Sequence, residues 1–300
     1  MIAAVVVTYN RKEMLCKNLD MLLFQMCKID KICIIDNHSS DGTQSLIRKK
    51  YEEYLDVIDY YYLEENIGGA GGFEYGCRVA YEKGYDYVWL MDDDGRPMNE
   101  NTLFSLIEVV KNLDTDEFIL NSLVIQDTEK LSFGLDTHDE KIDAVKARAN
   151  DRGIYIGKIN PFNGTLVSKD VFKKIGFPNG QFFIKGDEHD FMMRALHANV
   201  YIATVVDSEY YHPGEKNVIK RIMGKTIFIN IETAWKEYYK MRNYTYMRKR
   251  DYGSVCCFKE LLKYLFILII SSKAGFENFN MVVRGFVDGY KGKLGNSVKP

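Results

Sequence analysis

The chain has 300 residues, of which 46% are hydrophobic, with 23 Gly and 5 Pro. That is enough apolar material for one large domain or two small ones, and the Gly and Pro content excludes collagen-like and low-complexity classes. Forty Lys and Arg against 42 Asp and Glu leave a net charge of −2, which argues against a general nucleic-acid binder.

Ile2–Thr8 is a continuous apolar run and predicts a strand buried on both faces. It starts one residue into the chain, with neither the charged leader nor the cleavage site of a signal peptide. Met14, Leu15, Leu19, Leu22, Leu23 and Met26 recur at helical spacing and predict a helix over 12–26. A second strand, 31–35, runs into Asp36-Asn37. Ser39-Ser40-Asp41-Gly42-Thr43 then supplies capping groups for a helix over 44–54. A third strand is expected over 57–63, a helix over 73–83 and a fourth strand over 87–91. Asn66 and a glycine cluster lie between the third strand and its helix, and Asp92-Asp93-Asp94 follows the fourth strand.

Strictly alternating strands and helices imply a doubly wound, mostly parallel sheet flanked by helices. Ligands of such sheets sit at the carboxyl ends of the strands. Four successive strands deliver polar residues to that edge: Thr8-Tyr9-Asn10, Asp36-Asn37, Asn66 and the aspartate triplet.

Further along, a helix is predicted over 100–112 and a strand over 117–126. The polar stretch 127–160 is expected to be a mobile loop over the site. A strand over 163–168, a helical turn over 170–175, a strand over 181–185, a helix over 187–197 and a strand over 201–206 follow. Beyond Pro213 the chain reads as helical and basic. Residues 1–214 hold 23 basic and 35 acidic side chains, whereas 215–300 hold 17 basic and 7 acidic. This split suggests a catalytic region over 1–214 and a second, basic region over 215–300. The six cysteines lack metal-site spacing and read as free thiols.

Several clusters could carry chemistry. Adjacent carboxylates repel one another, so Asp92-Asp93-Asp94 either binds a hard divalent cation or is an acidic turn. Four glycines among residues 68–72 allow a ligand to approach the backbone, or merely make a tight turn. Asp187 and Glu188 open a helix, where an acid is either a dipole-favoured cap or a general base. His212 follows a strand and either completes an Asp/Asp/His metal site or is structural. His38, His138, His189 and His197 lack comparable context. The stretch from Trp235 to Asn243 sets aromatic beside basic residues, which suits sugar stacking or an ordinary amphipathic helix. The apolar run 261–270 is too short to span a bilayer and is limited by Lys259, Lys263 and Lys273. It fits a buried helix or an interfacial one, and the basic excess favours an anionic membrane surface.

Val7-Thr8-Tyr9-Asn10-Arg11, the run from Asp36 to Thr43, the Asn66 glycine segment and Met91-Asp92-Asp93-Asp94 together resemble the family-2 inverting glycosyltransferases. The glycine segment through Phe73, the run from Phe183 to Glu188 and His212-Pro213-Gly214 resemble the galactofuranosyltransferases within it, with rhamnosyltransferases next. The resemblance covers about residues 1–215. It implies a GT-A fold, a UDP-sugar donor and Mn²⁺ or Mg²⁺. Thr8, Asn10, Arg11 and Asp36 would hold the uridine end. Asn66, Gly68 and Gly69 would follow the ribose and diphosphate. Asp92, Asp94 and His212 would ligate the metal, with Asp93 near the donor sugar or ribose. Glu188 would be the catalytic base, with Asp187 as fallback, and Lys185 and Arg242 would be donor contacts. The expected acceptor is a cell-surface glycan or a lipid-linked glycan. The expected place is cytoplasmic, peripheral on the inner face of the plasma membrane; homo-oligomerisation is left open. A dTDP-rhamnose donor is the nearest alternative. A nucleotidyltransferase, which would carry a glycine-rich loop after the first strand, and a non-catalytic scaffold are the others.

Overall fold

β1 (Ile2–Thr8) pairs in parallel with both β2 (Lys31–Asp36) and β4 (Tyr87–Asp92), and β3 (Ile58–Tyr62) adds to β2. The computed structural model describes residues 1–137, 140–214, 218–222, 225–271 and 275–299. It groups residues 1–178 with 191–215 in one compact unit and 179–190 with 216–300 in a second. The segment 179–190 thus leaves the amino-terminal region to which the sequence assigned it. His138 and Lys273 lie outside the described residues.

In the first unit the crossovers are α1 (Lys12–Leu23), α2 (Thr43–Lys50) and α3 (Gly68–Glu82). The predicted helix over 44–54 stops at Lys50, and a 3-10 turn covers Glu52–Tyr54. After β4 come β5 (Arg96–Pro97), α4 (Thr102–Val110), β6 (Phe118–Ile125), α5 (Ile142–Lys146), β7 (Ile154–Ile156), β8 (Asn163–Ser168) and α6 (Lys169–Ile175). Then follow α7 (Asp187–His197) and β9 (Tyr201–Tyr211); the residues of α7 from Phe191 onward belong to this unit. The sheet order is β3-β2-β1-β4-β8-β6-β9-β5, with β7 on β9. β8, β5 and β7 run against the other six, so the sheet is mixed, with a parallel β3-β2-β1-β4 half. β9 runs five residues past its expected end, because its second half pairs with the end of β6 and with β5.

β1 shows why its sequence lacks alternation. Ala4 and Val6 pack with α1 residues Leu15, Leu19 and Leu22 on one face, while Val5 and Val7 pack with α3 residues Phe73 and Cys77 on the other. Both faces are covered, so every position is apolar. The segment 127–160, expected to be loose, instead carries α5 and β7. Ile142 and Val145 are buried there with Leu123, Ile125 and Val206.

The glycine cluster is not a loop but the first turns of α3, five residues ahead of the predicted start. Its last glycine lets the helix lie close on the sheet: a Cβ at Gly72 would meet Val7 Cγ1 at 2.6 Å. Valine there would force helix and strand apart, a change that costs about 1–3 kcal/mol.

The second unit begins with an antiparallel hairpin, β10 (Val218–Ile222) and β11 (Lys225–Ile229), where a helix was expected. Three helices follow: α8 (Ala234–Tyr252), α9 (Ser254–Ile270) and α10 (Phe276–Tyr290). α10 approaches α8 closely, since a Cβ at Gly289 would meet the Arg242 carbonyl oxygen at 2.1 Å. Met241, Cys257, Leu268, Val282 and Phe286 form the core among the three helices.

In the same unit, 181–185 is not a strand. A 3-10 turn covers Gly180–Phe182, and a γ-turn centred on Phe183 follows (φ 65°, ψ −66°), with the Ile184 N–H donating to the Phe182 carbonyl at 2.8 Å. This is the strained form of the γ-turn. The six cysteines are free thiols.

Candidate active site

Within the first unit, the β1–α1 connection, the end of β4 and the end of β9 bring one charged cluster together. Asp93 is 3% exposed. The Thr8 hydroxyl donates to its Oδ2 at 2.7 Å, and Arg11 Nη1 reaches its Oδ1 at 3.1 Å and Asp94 Oδ2 at 2.7 Å. Burial pushes the Asp93 carboxyl up to about 6, against the pull of Arg11 and Thr8. Burial also raises the Asp92 carboxyl, and Asp94 and Asp93 raise it further. Asp94 is held below the usual carboxylate range: burial opposes this, but His212 and Arg11 outweigh it. Three carboxylates therefore face a single guanidinium, two negative charges in excess when all are ionised.

The turn that carries these residues is held from behind. Asn18, buried in α1, donates through Nδ2 to the Gly95 carbonyl at 2.7 Å. A polar side chain at a buried helical position was not singled out in the sequence. Its signal is that it interrupts the apolar face of α1.

His212 Nδ1 lies 2.7 Å from the Pro213 carbonyl oxygen, which can only accept, so Nδ1 carries a proton. Nε2 then faces Asp94 Oδ1 at 3.3 Å, and that oxygen is buried with no hydrogen-bond partner. Something positive belongs between them. A proton serves when no cation is bound: the His212 pKa is raised, since burial opposes but Asp94 and Asp92 prevail. A divalent ion fits the same place, because imidazole and carboxylate are ligands for Mn²⁺ and Mg²⁺ alike. The residues present thus fit a metal, although no ready-made cluster of three or more His, Cys, Asp or Glu ligands occurs among the described residues.

The nucleotide-side residues arrange themselves around Ser39. The Asn10 N–H donates to Ser39 Oγ at 2.8 Å, and the Ser40 N–H donates to Asn10 Oδ1 at 2.7 Å. Asn10 adopts a positive φ of 54°. Asp36 is fully buried: the Ser39 N–H donates to its Oδ1 at 2.8 Å, and the Tyr60 hydroxyl donates to its Oδ2. Asp36 thereby positions the Ser39 loop. Thr8, 1% exposed, similarly acts on Asp93 rather than outward. Asn66 Oδ1 accepts the Gly68 N–H at 2.8 Å at the start of α3, and the Asn37 amide holds the Gly68 carbonyl at 3.1 Å. Nothing lies within 4 Å of a Cβ placed on Gly69, so the first turn of α3 is open to an approaching group there.

Within the second unit, Asp187 is buried and Glu188 is half-buried. Glu188 Oε2 accepts the Gly186 N–H at 3.1 Å, and Lys185 Nζ pairs with Glu232 Oε2 at 3.0 Å. Arg242 is fully buried and was expected to meet the donor. That expectation is corrected, because its guanidinium donates to the carbonyls of Gln181 (3.1 Å), Phe182 (2.9 Å) and Gly295 and to Asn243 Oδ1 (2.8 Å). Its neighbour Asn243 donates through Nδ2 to the carbonyls of Phe182 (3.0 Å), Ile184 (2.8 Å) and Lys185 (2.7 Å). Tyr238 and Tyr239 are buried beside Phe183, so the aromatic–basic stretch of α8 is a core, not a sugar platform. Together these α8 residues clamp the strained loop that leads into Asp187 and Glu188. Asn243 was named within that stretch in the sequence but was given no role.

The parallel half of the sheet thus ends in an acidic cluster beside an open helix start, at the edge where doubly wound sheets bind their ligands. The model of glycosyl transferase family 2 matches residues 3–176, and the chain belongs to this family. The galactofuranosyltransferase GlfT1 of Mycolicibacterium smegmatis is 28% identical over 259 residues, with 82% of each chain covered. The dTDP-rhamnosyl transferase RfbF of Shigella flexneri is 25% identical over 308 residues, covering 98% of this chain and 97% of that one. Among solved structures, Staphylococcus aureus TarS 1–349 in complex with UDP-GlcNAc superposes with a TM-score of 0.59 at 17% identity, covering 96% and 81%. The mannosyltransferase PcManGT from Pyrobaculum calidifontis, in complex with GDP-Man and Mn²⁺, gives 0.55 at 14% identity, covering 97% and 75%. The fold is GT-A, as the sequence motifs implied.

Proposed function

We propose that this glycosyltransferase is an inverting, metal-dependent enzyme that moves galactofuranose from UDP-galactofuranose to a hydroxyl of a cell-surface or lipid-linked glycan. The observation that carries the metal dependence is the facing pair of His212 Nε2 and Asp94 Oδ1 inside a cluster with excess negative charge. The similarity to GlfT1 over four fifths of the chain supports the donor sugar.

Asp92, Asp94 and His212 hold the metal. When bound, Mn²⁺ or Mg²⁺ would neutralise charge developing on the diphosphate leaving group. Arg11 spans Asp93 and Asp94, and Thr8 fixes Asp93; together they keep Asp93 ready for the donor sugar or ribose. Asn10 and the Ser39 loop, set by Asp36, contact the uridine. Asn66, Gly68 and Gly69 follow the ribose and diphosphate along the first turn of α3. Glu188 accepts the proton of the acceptor hydroxyl. A carboxylate is a far weaker base than an alkoxide, so proton transfer runs late and placement of Glu188 matters as much as its basicity. Lys185, in the same loop, is assigned to the donor side. The enzyme works peripherally, on the inner face of an anionic membrane; the excess of 17 basic over 7 acidic side chains in 215–300 supports this.

One observation favours a second donor: the match to the rhamnosyl transferase RfbF runs through 98% of the chain, tail included. Release of nucleotide diphosphate from UDP-galactofuranose and dTDP-rhamnose, tested side by side with Mn²⁺, separates the two.

A further inference from the structure

α9 has two apolar faces, one packed in the core of the second unit and one largely exposed. Cys257 and Leu268 are buried, and Leu261, Tyr264 and Leu265 pack partly against the same three-helix core. Val255, Leu262, Phe266 and Ile269 point outward, at 71%, 68%, 50% and 70% exposure, and Phe258 packs its ring on Phe286 and Tyr290 while staying 50% exposed. Their spacing of three and four residues places them in one stripe along a helix of 17 residues, about 25 Å long. Five large apolar side chains in one exposed row is more than scattered surface hydrophobicity. Lys259 and Lys263, both exposed, border the stripe on one side.

We propose that the outer face of α9 is a membrane anchor that lies in the plane of an anionic bilayer, with Val255, Phe258, Leu262, Phe266 and Ile269 inserted among the acyl chains. The proposal rests on the peripheral-membrane reading above and assigns it to one surface and one mode. No helix among the described residues is long and apolar enough to cross a membrane, so α9 lies along the surface. Lysines beside the stripe meet lipid phosphates while the apolar row enters below them. A second copy of this chain fits less well. An antiparallel two-fold pairing of this face sets Lys259 and Lys263 of one copy against those of the other, and any pairing brings together regions that each carry ten excess positive charges.

The test is co-sedimentation of the full chain with phosphatidylcholine vesicles, with and without phosphatidylglycerol, at low and high salt. The wild type binds the anionic vesicles, and part of that binding survives high salt because it is apolar. Leu262→Ser with Ile269→Ser lowers partitioning by at least about tenfold. Lys259→Ser with Lys263→Ser removes mainly the salt-sensitive part. Both variants keep the wild-type far-ultraviolet circular dichroism and melting profile, which shows that they fold. If the serine pair at 262 and 269 binds vesicles as the wild type does, the anchor is overturned while the peripheral reading stands. If the wild type binds no vesicle, both fall. If the wild type self-associates in solution and the serine pair abolishes that without altering vesicle binding, the face is a protein interface and the proposal is wrong.

Discussion

His212 Nε2 and Asp94 Oδ1 face each other across 3.3 Å, and that oxygen is buried without a hydrogen-bond partner. The other imidazole nitrogen is committed to the Pro213 carbonyl, so the ring is oriented with Nε2 toward the carboxylate. An orientation fixed by the second nitrogen is how metal-binding histidines are commonly prepared.

If the pair binds metal, Asp94→Ala and His212→Ala each weaken Mn²⁺-dependent UDP binding by at least about tenfold. Calorimetric titration of UDP with and without Mn²⁺ measures this. Equal Mn²⁺ enhancement in the variants removes the pair from the metal.

Glu188→Gln keeps the shape and removes the base. Sugar transfer should fall by about 10²–10⁴-fold while UDP binding stays within a factor of two or so. Near-normal transfer by this variant transfers the role to Asp187 or to neither.

Asn243 offers a separable effect. Asn243→Ala leaves the carbonyls of Phe182, Ile184 and Lys185 without their shared donor. The second unit should lose about 1–3 kcal/mol. Because the loop precedes Glu188, kcat should drop with little change in donor KM, which steady-state kinetics below the melting transition will show. A rise in KM at constant kcat contradicts this positioning task.

Asp59 gives a pH signature away from the site. Burial alone would raise its pKa, but hydrogen bonds from Lys83 (2.7 Å) and Lys31 (3.2 Å) outweigh that and lower it. A lowered carboxyl stabilises the fold above its unfolded pKa, and this is lost as pH falls through the folded value. Asp59→Asn should therefore cost up to about 1 kcal/mol at neutral pH, and the gap to wild type should close below about pH 4 in denaturant titrations. A gap that persists in acid shows that the ion pairs are not its cause.

The parallel half of the sheet was legible because buried strands leave an unbroken apolar run, as in β1, and its polar termini mark the ligand edge. The limits of α7 and β8 could also be read, since Gly186 and the acid pair Asp187-Glu188 open α7 and Pro161 lies just ahead of β8. Glycine misled in α3: local propensity predicts a loop, yet the close approach of Gly72 to Val7 selects glycine inside the helix. The segment 181–185 misled in the same way. Its Phe-Phe-Ile run reads as a strand, but side-chain donors from Arg242 and Asn243, some 60 residues on, claim its carbonyls. Asp36 and Arg242 were placed at the donor by the family resemblance, and burial, which a sequence does not display, gives them internal partners.

The most direct test of metal-dependent transfer from a UDP-sugar is UDP release from UDP-galactofuranose with a lipid-linked glycan acceptor, with Mn²⁺ and then with excess chelator. Mn²⁺-dependent turnover that the chelator abolishes and Mn²⁺ restores is the predicted result; undiminished turnover in the chelator would contradict it.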